Sequence, residues 1–186
     1  MAALWLALPV WAADPENTLV VEIAGEASGT IEIELLPDVA PRHVERIKML
    51  ARDGAYDGVV FHRVIEGFMA QTGDVEHGRR EGFNLRFAGT GGSAFPNLPA
   101  EFSDLPFDRG VVGMARAQNP DSANSQFFIM FAEGYFLNGQ YTVFGRVSQG
   151  MEIIDAIKRG SRSANGAVSG DPDYMATVRV KADLDG

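Results

Sequence analysis

Apolar and polar residues alternate along this chain with a period of two, and glycine repeatedly breaks the pattern; no other feature restricts its fold as much. Leu19-Val20-Val21-Glu22-Ile23 and Ile31-Glu32-Ile33-Glu34-Leu35 put isoleucine and leucine on one side and glutamate on the other, as half-buried strands do. Residues 25–29 supply a turn, so the two runs read as an antiparallel pair whose glutamates discourage edge association. Further strands are predicted at residues 59–65, 68–72, 111–117, 126–131, 141–148 and 177–181, with glycine at nearly every junction. Two helices interrupt them. The first follows Asp38, has Pro41 in its first turn and a stripe of Ala40, Val44, Ile47 and Ala51, and stops at Gly54. The second is predicted at residues 151–158, with Ile153, Ile154 and Ile157 as its apolar face and Gly160 as its stop. So many strands with two isolated helices imply an antiparallel barrel or sandwich rather than a parallel α/β sheet.

A length of 186 residues with 46% hydrophobic residues suits one domain with a proper core. A net charge of -9 leaves no general attraction to phosphate backbones, so nucleic acid is not expected as a partner. The absence of cysteine removes disulfides, thiolate nucleophiles and thiolate metal sites together. Residues 2–13 are apolar throughout and turn polar at Asp14. They read as a signal peptide cut near Ala12 or Ala13, leaving residues 14–186 as the mature domain in the periplasm. No Lys or Arg precedes the run, which departs from the usual leader, and retention in the cytoplasm is the alternative. No stretch reaches the roughly 20 apolar residues of a membrane-spanning helix.

The common catalytic constellations fail on spacing or context. His43, His62 and His77 lack metal-ligand spacing, so no metal is expected. Ser125 lies in Asn-Ser-Gln, which is not a nucleophile elbow. Residues 89–94 satisfy a loose glycine-rich dinucleotide pattern, but Pro96 and Pro99 stand where the phosphate-cradling helix would begin, so no cofactor is expected. The long connection at residues 73–101 carries little strand pattern and is expected to rim a site.

A dense block remains, Phe61-His62-Arg63-Val64-Ile65-Glu66-Gly67-Phe68-Met69-Ala70-Gln71-Thr72-Gly73-Asp74. Two strands hinged at Gly67 bring Arg63, Phe68, Met69 and Gln71 near one another. Alternation puts Met69 and Gln71 on one face, whereas Phe68 needs a local twist to join them. His62 should point away from Arg63 and is read as structural, and Arg79 and Arg80 read as a solvated turn. Two more blocks follow: Gly113-Met114-Ala115-Arg116-Ala117 through Ser125-Gln126-Phe127-Phe128-Ile129, and Phe136-Leu137-Asn138-Gly139-Gln140-Tyr141-Thr142-Val143-Phe144-Gly145.

In order and at matching spacing, these blocks resemble the cyclophilin family of peptidyl-prolyl cis/trans isomerases, from about Leu19 to Val180. The resemblance implies a mainly β fold, a closed eight-stranded antiparallel barrel capped by two α-helices, with a peptide groove on its outer wall. It implies Arg63 as the catalytic arginine, and Gln71 as the glutamine that bonds substrate and helps hold that arginine. Phe68, Met69, Phe128 and Leu137 match the proline pocket. Ala115, Arg116 and Gln126 match the groove, the first two largely through their backbone. Phe136 stands where many eukaryotic members have tryptophan, Tyr141 where they have histidine, and Glu66 replaces a common proline. The implied partners are proline-containing polypeptide segments, and cyclosporin weakly, with a monomer expected. Two other functions compete: a binding module of the same fold with incidental turnover, and a small-ligand carrier using the barrel interior. Retention of Arg63 and Gln71 argues against the first, and the twelve phenylalanines with the paired Ile/Val faces suggest a filled interior against the second.

Overall fold

The computed structural model describes residues 14–184. Its nine strands are β1 (Thr18–Ala24), β2 (Gly29–Leu35), β3 (Val59–Val60), β4 (Arg63–Ile65), β5 (Met69–Thr72), β6 (Val111–Met114), β7 (Phe127–Met130), β8 (Val143–Gln149) and β9 (Tyr174–Val180). They form one antiparallel sheet in the order β3-β9-β1-β2-β8-β6-β7-β5-β4. The alternation in β1 and β2 does what it predicts: Leu19 pairs with Ile33 and Val21 with Ile31, all four buried, while Glu22 stays exposed. The predicted signal peptide lies outside the described residues.

The expected closed eight-stranded barrel needs correction. The predicted strand at residues 59–65 breaks at Phe61 and His62, because its two halves pair with different partners, β3 with β9 and β4 with β5. The sheet therefore has nine strands, and its two end strands are consecutive in the chain. It curls so that the chain itself joins the ends. Single backbone bonds reinforce that seam: Phe61 N–H to the Asp173 carbonyl (2.8 Å), Val64 N–H to that of Gly166 (2.8 Å) and Val168 N–H to that of His62 (3.0 Å).

Helix α1 (Pro41–Arg52) lays its stripe of Ala40, Val44, Ile47 and Ala51 against the sheet, each at most 3% exposed. Asp38 does not cap it. The carboxylate of Glu101 does, accepting the N–H of Arg42 (3.1 Å) and of His43 (3.0 Å) and bonding His43 Nδ1 (2.6 Å). Helix α2 (Met151–Ala156) stops short of residue 158. Lys158 N–H donates to the buried Asp173 carboxylate at 2.7 Å instead of to a helical carbonyl, so the chain leaves the helix at Ile157.

Period two in β7 divides the apolar residues into two clusters. Phe127 and Ile129 join the main core with Tyr56, Phe144, Ile33 and Val112. Phe127 meets Tyr56 and Phe144 edge to face at 5.7 and 6.0 Å, and the Tyr56 hydroxyl donates to the Ser125 carbonyl at 2.8 Å. Side chains fill the inward face of the sheet. Phe128 and Met130 point the other way, into a second cluster with Met69, Phe107, Leu137 and Val143. That second cluster is the floor of the site.

Candidate active site

The β4–β5 hairpin sets Arg63 directly across from Gln71 and Ile65 across from Met69, with Gly67 (φ 72°) at its turn. Arg63 is half-buried, and three bonds hold its guanidinium. Nε donates to the Asn165 carbonyl (3.0 Å), Nη2 to Asn165 Oδ1 (3.0 Å) and Nη1 to Gln71 Oε1 (3.2 Å). Gln71 Nε2 then donates to Gln126 Oε1 (3.1 Å), and Gln126 Nε2 to the Gly91 carbonyl (2.8 Å). Because the guanidinium only donates, it sets the orientation of each amide in this relay. Burial lowers the pKa of Arg63, partly countered by Tyr141, yet a guanidinium stays charged in water. Among the described residues, these three bonds leave two of its five N–H donors uncommitted.

Beside it opens a hollow of about 270 Å³. Every residue that the resemblance assigned to the site lines it except Gln126, which lines an adjoining hollow of about 360 Å³; Gln71, Ala115 and Arg116 line both. Phe128, 6% exposed, is gripped between Phe107, stacked behind it at 5.8 Å, and the edge of Tyr141 at 5.9 Å. The stack is that close because residue 113 has no side chain: a Cβ on Gly113 would lie 2.6 Å from both phenyl rings. Phe136 stands 67% exposed on the rim, 5.4 Å from Phe68, so the turn at Gly67 does bring Phe68 to the face of Met69 and Gln71. The Arg116 guanidinium lies 4.4 Å over the Tyr141 ring and donates to the carbonyls of Ala117, Gln118 and Gln140, so its side chain braces its own loops.

The second hollow is polar and is rimmed by residues from the 73–101 connection, among them Gly89, Thr90, Gly91 and Ser93. The buried Asp74 carboxylate organises that segment by accepting the N–H groups of Glu76, His77, Gly89 and Gly91. His62 is 4% exposed, and among the described residues neither ring nitrogen has a partner. Burial, opposed by the charge of Asp74, holds its pKa down at about 4, so it is neutral at pH 7.

Comparison with known proteins shows the family. Residues 18–180 match the family model described as cyclophilin type peptidyl-prolyl cis-trans isomerase/CLD. The chain belongs to the cyclophilin family. A probable peptidyl-prolyl cis-trans isomerase of Brucella suis is 59% identical over 173 residues, covering 92% of this chain and 86% of that one. Peptidyl-prolyl cis-trans isomerase B of Bacillus subtilis is 37% identical, covering 84% and 94%. Among solved structures, the cyclophilin AquaCyp293 from Hirschia baltica superposes with a TM-score of 0.74 at 26% identity, covering 92% of this chain and 76% of that one. A Cryptosporidium parvum cyclophilin crystallised in the presence of the dipeptide Ala-Pro gives 0.73 at 25% identity, covering 88% and 98%.

Sequence reasoning missed several residues that build the site of this cyclophilin. Asn165 left a usable signal, the turn-forming pair Asn165-Gly166, but nothing local ties it to Arg63, 102 positions away. Phe107 and Gly113 left none, because their role is to set the depth of Phe128. Arg79 is also more than a solvated residue, since it donates to the carbonyls of Asp57 and Ala55 (3.0 and 3.1 Å).

Proposed function

We propose that this peptidyl-prolyl cis/trans isomerase works through Arg63, with the 270 Å³ hollow holding the proline ring. The observation that carries the reading is the juxtaposition of a half-buried cation having two free N–H groups with an apolar pocket floored by Phe128 and Met69. Rotation about an X-Pro amide loses resonance and meets a barrier of roughly 18 to 20 kcal/mol. No bond breaks, so the catalyst has only to favour the twisted amide over both planar isomers. In that state the proline nitrogen regains a lone pair. One free N–H of Arg63 can donate to it while the other anchors the adjoining carbonyl. Gln71, fixed by Arg63 on one side and Gln126 on the other, orients the peptide backbone. The pocket holds the ring while the rest of the peptide rotates, and the polar hollow beside Ala115, Arg116 and Gln126 takes the neighbouring peptide. Lowering the barrier by about 7 kcal/mol gives about five decades of rate.

The substrates we propose are proline-containing segments of unfolded or flexible polypeptides, so the enzyme assists folding. We also propose export to the periplasm, supported by the apolar run at residues 2–13 and its polar boundary at Asp14. An intact mass beginning near residue 13 or 14 for protein recovered from the periplasm agrees with export; a full-length chain in the cytoplasm refutes it. The isomerase mechanism is tested by Arg63→Ala. Turnover of an X-Pro peptide should fall by about two orders of magnitude or more, while peptide affinity falls only severalfold, because the contact strengthens in the twisted state. Equal losses in both would overturn the role given to Arg63.

A further inference from the structure

We propose that Asn165 is a positioning residue for the reaction, taking up two of the guanidinium donors of Arg63 and so deciding which N–H groups remain for the substrate. The inference rests on Arg63 being the reactive cation.

Asn165 belongs to a loop, residues 160–168, laid along β4. Gly160 N–H donates to the Val64 carbonyl at 2.9 Å, and Val64 N–H to that of Gly166 at 2.8 Å. The approach is tight: a Cβ on Gly166 would lie 2.4 Å from Ile65 Cγ1. Within this loop Asn165 has φ 51° and ψ 39°, and among the described residues it is the one non-glycine with positive φ. Most L residues resist that left-handed conformation, whereas Asn tolerates it better than almost any other side-chain-bearing residue. Here it serves a geometry in which the carbonyl and Oδ1 of one residue both accept from one guanidinium, at 3.0 Å each. Glycine would keep the backbone shape and the carbonyl but supply no second acceptor.

The chemistry of the acceptors matters as much as their position. A carboxylate would grip Arg63 more strongly, but it would also offset the positive charge that the twisted amide needs. All three acceptors on Arg63, two from Asn165 and one from Gln71, are neutral. The nearby acid Glu66 is occupied by Arg159. Arg63 is thus fixed in place with its charge left unneutralised by any hydrogen-bonded partner among the described residues.

Asn165→Gly removes the side chain with its acceptor Oδ1 and keeps the carbonyl that accepts from Arg63 Nε. By exchange NMR on an X-Pro peptide, we expect kcat to fall about five- to tenfold with KM within about twofold, on a protein that melts close to wild type. Asn165→Asp restores the acceptor as an anion and should turn over more slowly than Asn165→Gly, since it offsets the charge of Arg63. In an Arg63→Ala background, Asn165→Gly should cause no further loss, because its effect passes through that arginine. If wild type is active and Asn165→Gly matches it, or if the loss persists undiminished in the Arg63→Ala background, the positioning role is overturned while the isomerase reading stands. An Asn165→Asp enzyme faster than Asn165→Gly overturns the argument from charge. An inactive wild type overturns both readings.

Discussion

Phe136 shows what one residue contributes at the rim of the pocket. Its ring is 67% exposed and leans on Phe68 at 5.4 Å, and its carbonyl accepts from Gln140 Nε2 at 2.9 Å. The loop is held through main-chain groups, by that bond and by the N–H of Leu137, Asn138 and Gln140 donating to the carbonyls of Gly134, Tyr135 and Leu137, so the Phe136 side chain is free to change without moving the pocket floor. A phenyl ring lacks the N–H donor and part of the contact area of an indole. Phe136→Trp should therefore tighten cyclosporin by about 1 to 3 kcal/mol. Small proline peptides, whose ring we propose to be held by Phe68, Met69, Phe128 and Leu137, should turn over within a few fold of wild type. Dissociation constants for the two proteins check this, and equal values would show that residue 136 does not reach the ligand.

At the level of elements, two long-range contacts can each be broken singly, one behind the pocket wall and one at the start of α1. Gly113 in β6 lets Phe107 stack behind Phe128. Gly113→Ala would force a Cβ into both rings, and overpacking of this kind costs about 1 to 3 kcal/mol. The melting temperature should drop and KM should rise as Phe128 moves into the pocket; an unchanged KM on a destabilised protein would separate the stack from the pocket wall. At the N-terminus of α1, Glu101 caps two backbone N–H groups and bonds the buried His43, while its own N–H is held by Thr142 Oγ1 at 3.0 Å. Glu101→Ala should cost about 1 to 2 kcal/mol, the range of a lost cap. Urea titration measures it, and a loss below about 0.3 kcal/mol would mean that water replaces the carboxylate.

For the whole molecule, turnover and stability should respond differently to pH. The guanidinium of Arg63 stays charged and His62 stays neutral, so turnover should be nearly flat from about pH 6.5 to 9. A tenfold change in that window, removed by His62→Gln, would place a histidine in the mechanism. Stability has a slope at lower pH. Burial depresses the pKa of His62 from 6.5 to about 4, so between those values the unfolded chain binds a proton that the folded chain does not. Stability therefore falls as pH drops through this window, by up to on the order of 3 kcal/mol for the full shift. His43 acts in the same direction: burial lowers its pKa, although the bond to Glu101 opposes this. Burial raises the pKa of Glu101, but its bonds to His43 and to the backbone outweigh that and lower it, so its contribution is lost as pH falls through its depressed folded value. Urea midpoints at pH 7.5 and 5 should differ clearly in wild type and less in His62→Gln; an unchanged difference would remove His62 from the account.

What the sequence determined by itself is what depends on near neighbours. Alternation set the faces of β1 and β2 and put Met69 and Gln71 of β5 on one face; in β7, where Phe127 and Phe128 are equally apolar and both buried, only the family resemblance assigned Phe128 to the site. The hairpin about Gly67 set Arg63 opposite Gln71, because a turn fixes register. The family resemblance supplied the rest of the pocket lining. Tertiary structure decided whatever needs two distant segments to meet. The break at Phe61 and His62, the cap on α1 from Glu101, the early end of α2 at the Asp173 carboxylate and the grip of Asn165 on Arg63 all join residues remote in the chain. No periodicity records such meetings, since each is selected by the polar groups that folding leaves facing one another and that burial then obliges to pair.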